Sequence, residues 1–334
     1  MDLKDISFII PVYNRPDEID ELLSSFLCLE GDKDFEIVII EDGSTKKCDY
    51  IVKRFSDLNI SYHLKTNSGP GDSRNYGMKV AKGKYHIILD SDVILPVNYN
   101  KVLIENLTND YSDCFGGVDD SHRSFNNFQK AVSYSMTSFI TTGHIRGGSK
   151  SKGFQPRSFN MGISREAFLK SKGFGNIHPG EDPDLSIRLK KLGFSTRLYS
   201  DLKVFHKRRV SLSSFFKQVY KFGIARTILN NRYPSTKKII YWFPSIFSII
   251  FLISIILFLF KIDPLIFTLY LIYFLIVFTQ SSIKNNIWVG FLSVITTIIQ
   301  FFGYGYGFLK SLIFINIFSN KKIESIFPKM FFKI

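Results

Sequence analysis

The sequence contains little cysteine. Three cysteines occur among 334 residues, and none of them form a CxxC motif. This small, odd number excludes a disulfide scaffold and a cysteine-based zinc cluster, and it is typical of a reducing compartment. A content of 45% hydrophobic and 16% aromatic residues also excludes a disordered chain and a collagen-like fibre. No signal peptide is expected, because the first apolar run, at residues 6–12, is short and follows acidic residues.

Acidic residues are missing from residues 203–238, which carry 10 of the 43 lysines and arginines and supply most of the net charge of +14. A nucleic-acid-binding protein more often spreads its basic charge over a folded face, so we expect no nucleic acid as a partner. A basic block next to an apolar region is typical of the cytoplasmic side of a membrane, where anionic headgroups attract it.

Three long runs without charged residues follow, at residues 239–260, 264–283 and 285–309. About 20 apolar residues are needed to cross the hydrocarbon core, so each run is long enough. The sequence therefore predicts a multi-pass protein of the cytoplasmic or inner membrane, with membrane lipids as partners and the preceding residues on the cytoplasmic side. The third run contains GYGYG at residues 303–307, which allows either close helix packing or a break. Two or three full crossings fit this pattern.

The first 205 residues alternate apolar strands with helices, which predicts an α/β fold. Strands are expected at residues 7–12, 36–40, 60–64, 85–89 and 113–118. Helices are expected between them, including residues 16–27, which begin with proline and acidic residues, and residues 71–81. This order predicts an open sheet covered on both faces, with ligands at the carboxyl ends of the strands.

Polar residues follow three of these strands. Asn14 ends the first, Glu41 and Asp42 end the second, and Asp90 and Asp92 follow the fourth. Turn chemistry explains any single one of them, but three in succession favour a binding site at one sheet edge. In an extended segment, Asp90 and Asp92 would point to the same side. Such a pair suits Mg²⁺ or Mn²⁺, which complete their coordination with water and phosphate.

Two further stretches carry candidate chemistry. Residues 67–77 are rich in glycine, open a helix and contain Arg74, a combination suited to binding an anion. The same stretch is also explained as a plain loop and helix start. Glu181 and Asp182 lie at the start of another helix. They act there either as capping residues favoured by the helix dipole or as a general base.

Taken together, these segments resemble glycosyltransferase family 2 and its GT-A fold, a Rossmann-like fold of nucleotide-diphospho-sugar transferases. The matching segments are residues 8–14, 39–45, 69–77, 89–92, 159–162 and 180–182, with Arg188. They keep the family's order and approximate spacing over residues 5–206. The resemblance implies an inverting transferase that uses a nucleotide-sugar donor, most often a UDP-sugar, and a divalent cation, Mn²⁺ or Mg²⁺.

The resemblance also implies roles for single residues. The residues expected to contact the nucleotide sugar are Pro11, Tyr13, Asn14, Asp42, Arg74, Asp90 and Ser91. The expected metal ligands are Asp92, Asp90 and His206, and the expected catalytic base is Asp182, with Glu181 beside it. The residues expected near the acceptor or diphosphate are Arg188, Gln218 and Arg226. A surface position for His206, and a lipid-facing helix carrying Gln218 and Arg226, fit the sequence as well.

The QxxRW motif of processive synthases is absent, and residues 213–226 instead resemble the Q-x-Y-x-x-G stretch of non-processive membrane relatives. We therefore expect a GT-A catalytic domain at residues 1–206, a basic interfacial helix at residues 207–238, and a membrane region with a short tail at residues 239–334. Residues 119–157 are expected to form a mobile loop and a candidate lid.

The favoured function is transfer of a sugar to a hydroxyl of a lipid-linked glycan or polysaccharide precursor. The first alternative is a polyprenyl-phosphate glycosyl synthase, whose phosphate acceptor is already ionised and needs no strong base. The second alternative is a non-catalytic membrane protein that binds nucleotide sugars. A transporter is disfavoured because the three apolar runs offer almost no ionisable residues for a substrate path.

Overall fold

A computed structural model describes residues 1–120, 125–143, 154–206 and 211–332. These residues form two compact units, of which the first contains residues 1–120, 154–206 and 331–332, and the second contains residues 125–143 and 211–330. The strands are β1 (Ile6–Val12), β2 (Glu36–Asp42), β3 (Ile60–Lys65), β4 (Tyr85–Leu89), β5 (Val93–Ile94), β6 (Cys114–Asp120), β7 (Asn160–Ser164) and β8 (Thr196–His206).

Helices flank the strands in the first unit and make up the second. They are α1 (Pro16–Leu27), α2 (Asp49–Val52), α3 (Pro70–Val80), α4 (Tyr99–Asn109), α5 (Asn127–Thr137), α6 (Phe139–Thr142), α7 (Arg165–Ser171), α8 (Glu181–Lys191), α9 (Leu212–Arg232), α10 (Phe243–Leu259), α11 (Leu265–Lys284), α12 (Ile287–Ile317) and α13 (Ile323–Ile326). The helices of the second unit are α5, α6 and α9 to α13.

The eight strands form one sheet in the order β3-β2-β1-β4-β7-β6-β8-β5. β1 pairs in parallel with β2 and β4, and β2 pairs in parallel with β3. β7 runs antiparallel to its neighbours β4 and β6. The carboxyl ends of β1, β2 and β4 therefore meet at one edge of the sheet, as the sequence predicts.

The side chains of β1 show how both faces of the sheet are covered. Phe8 and Ile10 face one core, where the rings of Phe8 and Phe26 of α1 have centroids 4.9 Å apart. Ile9 faces the opposite core, together with Met78 of α3. Because successive strand residues point to opposite faces, a continuous apolar run is what a doubly covered sheet requires. The predicted α/β architecture is confirmed.

The second unit contains three helical segments that are long and apolar enough to cross a membrane. They span Ile239–Leu259, Leu265–Lys284 and Ile287–Ile317, with mean hydropathies of 2.5, 1.8 and 1.7. All three lie where the sequence predicts spans. The third has 31 residues, about 46 Å of helix, whereas the hydrocarbon core is about 30 Å thick.

Glycine residues bring α9 and α12 into backbone contact. A Cβ atom at Gly223 would lie 2.2 Å from the Tyr304 carbonyl oxygen, and one at Gly307 would lie 2.2 Å from the Tyr220 carbonyl oxygen. We call this contact, which also includes Gly303, the glycine seam. The GYGYG stretch therefore packs helices, and α12 continues through it without a break. The basic helix α9 packs along α12, a contact that the sequence did not predict.

The expectation of a loop at residues 119–157 is wrong for much of the described part of that segment, where residues 127–142 form α5 and α6. Asn126 and Gln129 form a reciprocal capping box at the start of α5. Val132 and Met136 then pack in an apolar cluster with Phe215 of α9. Tertiary burial and capping thus stabilise helices in a sequence of mixed polarity. Residues 121–124 and 144–153 of the candidate lid lie outside the described residues.

Candidate active site

Asn14 ties the end of β1 to the loop that follows β2. Its backbone N–H donates to Ser44 Oγ at 2.7 Å, and its Oδ1 accepts from the Thr45 backbone N–H at 2.8 Å. Asn14 has a φ of 56°, a left-handed conformation that asparagine tolerates well. Tyr13, which is 50% exposed, and Pro11 of β1 lie directly before it. Of these three predicted nucleotide contacts, Tyr13 offers the most accessible surface.

Asp42, at the end of β2, fixes the turn that opens α3. Its Oδ1 and Oδ2 accept from the backbone N–H groups of Ser68 and Gly69, each at 3.0 Å. Lys65 Nζ donates to the same carboxylate at 2.8 Å. Gly69 has a φ of 94°, which favours glycine. Asp42 therefore holds the first turn of the helix that carries Arg74. Its predicted contact with the nucleotide sugar stays a prediction.

Arg74 connects two parts of the candidate site, the residues after β4 and the start of α8. Its Nη2 donates to Asp90 Oδ1 at 2.7 Å, and its Nη1 donates to Glu181 Oε1 at 3.2 Å. The guanidinium carbon lies 5.4 Å from the centroid of the Phe174 ring. Arg74 is 4% exposed, so the two carboxylates supply the compensation that a buried charge needs. The strand end after β4 and the start of α8 thus share one cation.

Glu181, the first residue of α8, is held in its ionised form. It accepts from Arg74, from His178 Nδ1 at 2.9 Å and from the Gly180 backbone N–H at 2.9 Å. Burial opposes ionisation, but His178 and Arg74 hold the pKa of Glu181 well below its usual range. A carboxylate with these partners is a poor proton acceptor and a good anchor for the start of α8.

The pKa of Asp182 is raised, whereas that of Glu181 is lowered. Its Oδ2 accepts from the backbone N–H and the hydroxyl of Ser158 at 3.1 and 3.3 Å. Its Oδ1 is buried and has no hydrogen-bond partner in the described part of the chain. Burial, and then the charge of Glu181, raise the pKa of Asp182 to about 7. One oxygen is therefore fixed and the other is able to take a proton near neutral pH, as a general base must.

The expectation that Asp90 and Asp92 lie on an extended segment is wrong. Residues 91–92 form a turn between β4 and β5, so the alternation of a strand does not hold there. Asp90 pairs with Arg74, whereas Asp92 Oδ2 lies 3.9 Å from Arg15 Nη1. Turn residues follow a buried strand here because the chain must reverse before β5.

The turn at residues 91–92 supplies oxygen atoms of the type that a hard divalent cation binds. Ser91 Oγ donates to Glu18 Oε2 at 3.0 Å, and burial together with the charge of Asp92 raises the pKa of Glu18. A cation near Asp92 would relieve this repulsion. Val93 of β5 pairs with His206 of β8. The backbone of His206 therefore lies opposite the residue that follows Asp92. No cluster of three or more Asp, Glu, His or Cys groups suited to a metal occurs in the described ranges.

The remaining predicted residues lie elsewhere. Arg188 Nε donates to Asp184 Oδ2 at 3.0 Å, and its guanidinium also donates to backbone carbonyls at residues 171 and 173. These bonds brace α8 and leave the predicted diphosphate contact of Arg188 without support. Gln218 and Arg226 belong to α9 of the second unit, where the Arg226 guanidinium lies 4.2 Å from the Tyr241 ring centroid. Their predicted roles stay predictions.

Sequence reasoning missed several residues that shape the site. Ser158 positions Asp182 from 24 residues away, and Lys65 reaches Asp42 from the end of β3. Glu18 looks like an ordinary acidic residue in the first turn of α1, and only the fold brings it to Ser91. His178 offered one signal, since it lies three residues before Glu181 in the polar stretch that precedes α8.

Comparison with known proteins gives this geometry a family. Residues 7–170 match the family model described as Glycosyl transferase family 2. Residues 7–170 thus form a glycosyltransferase family 2 domain. An uncharacterized glycosyltransferase of Rickettsia conorii is 48% identical to it over 90 residues, which cover 26% of this chain and 14% of that protein. The poly-beta-1,6-N-acetyl-D-glucosamine synthase of Staphylococcus aureus (strain MSSA476) is 36% identical over 112 residues, covering 33% of this chain and 27% of that protein. The chain thus spans well under half the length of these curated relatives.

The fold of the chain matches a solved structure as well. A mannosyltransferase from Pyrobaculum calidifontis, in complex with GDP-Man and Mn²⁺, aligns with a TM-score of 0.50 and 18% identity, covering 67% of this chain and 64% of that one. This likeness confirms the predicted GT-A fold. The three apolar helices indicate membrane association.

Proposed function

We propose that the enzyme transfers a sugar, with inversion, from a nucleotide-sugar donor to a hydroxyl of a membrane-associated glycan acceptor. One observation carries the proposal. The Oδ2 atom of Asp182 is held by Ser158, and its buried Oδ1 atom has no hydrogen-bond partner in the described structure. A carboxylate with a raised pKa and a vacant oxygen is what deprotonation of a hydroxyl requires.

The reaction proposed is a single displacement. The acceptor oxygen forms a bond to the anomeric carbon while its proton passes to Asp182. The bond between the anomeric carbon and the diphosphate oxygen breaks, and the electron pair leaves with the nucleoside diphosphate. Attack from the face opposite the leaving group inverts the anomeric configuration, and no sugar-enzyme bond forms.

The donor is proposed to lie at the carboxyl ends of β1, β2 and β4. The proposed nucleotide-sugar contacts are Pro11, Tyr13, Asn14, Asp42, Arg74, Asp90 and Ser91. Asp92, with Asp90 and His206 as further proposed ligands, would hold a divalent cation, whose charge offsets that of the departing diphosphate. Glu181 keeps the start of α8 in place through Arg74 and His178, and thereby positions Asp182.

A membrane-associated acceptor is supported by the three apolar helices and by the basic helix α9, whose charge suits a cytoplasmic membrane face. N-acetylglucosamine is the first sugar to test, because the Staphylococcus aureus relative is named for a polymer of it. UDP-N-acetylglucosamine is therefore the first donor to test.

The test is nucleotide release by the purified, detergent-solubilised full chain. UDP-N-acetylglucosamine, other UDP-sugars and GDP-mannose are supplied with Mn²⁺ or Mg²⁺, or with EDTA, and with either a lipid-linked glycan or a polyprenyl phosphate. Asp92→Asn and Asp182→Asn are run beside the wild type. Asp57→Asn is the matched control, because Asp57 is an exposed aspartate of the same unit.

Metal-dependent release from one donor, lost in both site variants and kept in Asp57→Asn, supports the proposal. The anomeric configuration of the product, read by NMR, tests inversion. Release that survives Asp182→Asn and requires polyprenyl phosphate would favour a polyprenyl-phosphate glycosyl synthase, because an ionised acceptor needs no base. Donor binding without release on any acceptor would favour the non-catalytic alternative.

A further inference from the structure

Two aromatic residues near the end of the described chain dock on the first unit. Phe331 forms an antiparallel bridge with Ile177, and the Phe332 backbone N–H donates to the Asn176 carbonyl at 3.0 Å. We call residues 331–332 the aromatic strap. The strap belongs to the first unit, whereas the residues that precede it in the chain belong to the second. Main-chain pairing therefore fixes the strap against the loop that leads into α8.

The Phe332 ring lies directly on Gly69. A Cβ atom at Gly69 would come within 2.3 Å of a Phe332 ring carbon, so the ring fills the space that any other residue would need. Gly69 is the residue whose backbone N–H Asp42 holds, and it begins the turn into α3. The strap thus covers the turn that sets the position of Arg74.

The same ring borders His178 on the other side. The ring centroids of Phe332 and His178 are 5.7 Å apart, and His178 Nδ1 lies 2.9 Å from Glu181 Oε1. The His178 side chain is 39% exposed, so its orientation depends on the few groups that contact it. The Phe332 ring on one side and the Glu181 carboxylate on the other hold the His178 imidazole in place. Asp182, the proposed base, directly follows Glu181 in the chain.

We propose that Phe332 is a positioning residue for the transferase reaction, and that the docked strap is the working arrangement of the loop at residues 174–182. The inference rests on the proposed function, because the reaction it serves is the one proposed above. Phe332 contacts both the Gly69 turn, on the donor side, and His178, on the side of the base. Loss of its ring therefore releases both sides at once, which lowers kcat and raises the KM for the donor.

The first test is the Phe332→Ala variant of the full chain. We expect kcat/KM to fall about tenfold or more, since small misplacements of catalytic groups have effects of this size. Phe332→Tyr keeps the ring and is expected to retain most of the activity. Phe318→Ala, which removes a half-exposed ring of the second unit, is the control. Wild-type kcat and KM in Phe332→Ala, or an equal loss in Phe332→Tyr, would overturn the inference.

The second test locks the strap with a disulfide between Ile177→Cys and Phe331→Cys. Facing residues of an antiparallel bridge have Cα atoms about 4.5–5.5 Å apart, which suits a disulfide. Cys28→Ser is introduced as well, because Cys28 is the exposed native cysteine. We expect the disulfide to form and the oxidised enzyme to stay active. Activity that is lost on oxidation and restored by dithiothreitol would mean that the strap must leave, which contradicts the inference.

The two tests separate this inference from the proposed function. Disulfide formation is read by mass spectrometry of the purified chain and needs no substrate. A disulfide that forms in a protein without activity on any donor would refute the proposed function and leave the docked strap intact. Failure of the disulfide to form under oxidation would refute the docked strap even in an active transferase.

Discussion

Replacing Arg74 by methionine is expected to destabilise the first unit strongly. The variant leaves the Glu181 side chain, 7% exposed, and the Asp90 side chain, 30% exposed, without their shared cation. Removing one partner of a buried ion pair costs about 3–5 kcal/mol, because the remaining charge stays buried. Asp90 keeps part of its hydration, so we expect the lower end, about 3 kcal/mol. A unit of this size loses about 2–4 °C of Tm per kcal/mol, which gives a fall of about 6–12 °C.

The same variant should change the pH dependence of the reaction. The positive charge of Arg74 lowers the pKa of Asp182, in opposition to burial and to Glu181. Without Arg74 this pKa rises further, so the base is deprotonated only at higher pH. In Arg74→Met, the acidic limb of the plot of kcat/KM against pH is therefore expected to shift to higher pH.

The assay is thermal unfolding of the detergent-purified protein, followed by nucleotide release across pH. Arg54→Met is the matched control, because the ion pair of Arg54 with Asp20 has side chains 58% and 35% exposed. An exposed pair contributes about 0–1 kcal/mol, so the Tm of this control should hardly move. Arg74→Lys keeps a charge but loses the two-pronged geometry, and an intermediate Tm is expected. Equal Tm values for Arg74→Met and Arg54→Met would refute the reasoning.

Other variants test other contacts. In the wild type, kcat/KM should fall as the pH drops through about 7, because the pKa of Asp182 is raised to about that value. A midpoint near pH 4 in the pH-rate profile would count against Asp182 as the base. Asp182→Asn should raise Tm much more at pH 8 than at pH 4, because a folded-state pKa raised from 3.8 to about 7 lowers the stability of the wild type progressively between those two pH values. Gly307→Val should lower the free energy of unfolding by about 1–3 kcal/mol, seen as a lower Tm in detergent, because its new Cβ atom would lie 2.2 Å from a carbonyl oxygen of α9. Tyr306→Val, at an exposed site of the same helix, should change Tm little. Gly69→Ala should raise the donor KM, whereas Gly31→Ala, which shares a positive φ but has no atom within 4 Å, should show only a small loss of Tm and an unchanged KM.

Local signals were enough to place the elements that build the sheet. The helix predicted at residues 16–27 has the observed bounds of α1, because proline and acidic residues define its first turn. The apolar runs that became β1, β2 and β4 stand out because both faces of those strands are buried. The meeting of Asn14, Asp42 and Asp90 at one edge then followed from the parallel order of the strands.

Contacts between distant parts of the chain could not be read from local patterns. Arg74 and Glu181 are 107 residues apart, and nothing in either motif indicates that they share a hydrogen bond. The different character of Glu181 and Asp182 also arises from the fold, because His178 and Arg74 face the first and Ser158 faces the second. The helix α5 was missed since its helicity depends on burial against α9, which no local apolar pattern indicates.

The glycine seam has a practical consequence for dissecting the protein. The change in charge near residue 238 looks like a natural place to separate a water-soluble fragment from the apolar helices. A chain cut there would keep α9 without α12, so Gly223 and the buried side chains of Val219 and Ile228 would face water and promote aggregation. A chain cut between β8 and α9 would in turn expose Val132 and Met136 of α5, which pack on α9. Dissection of the protein therefore has to keep α5, α9 and α12 together.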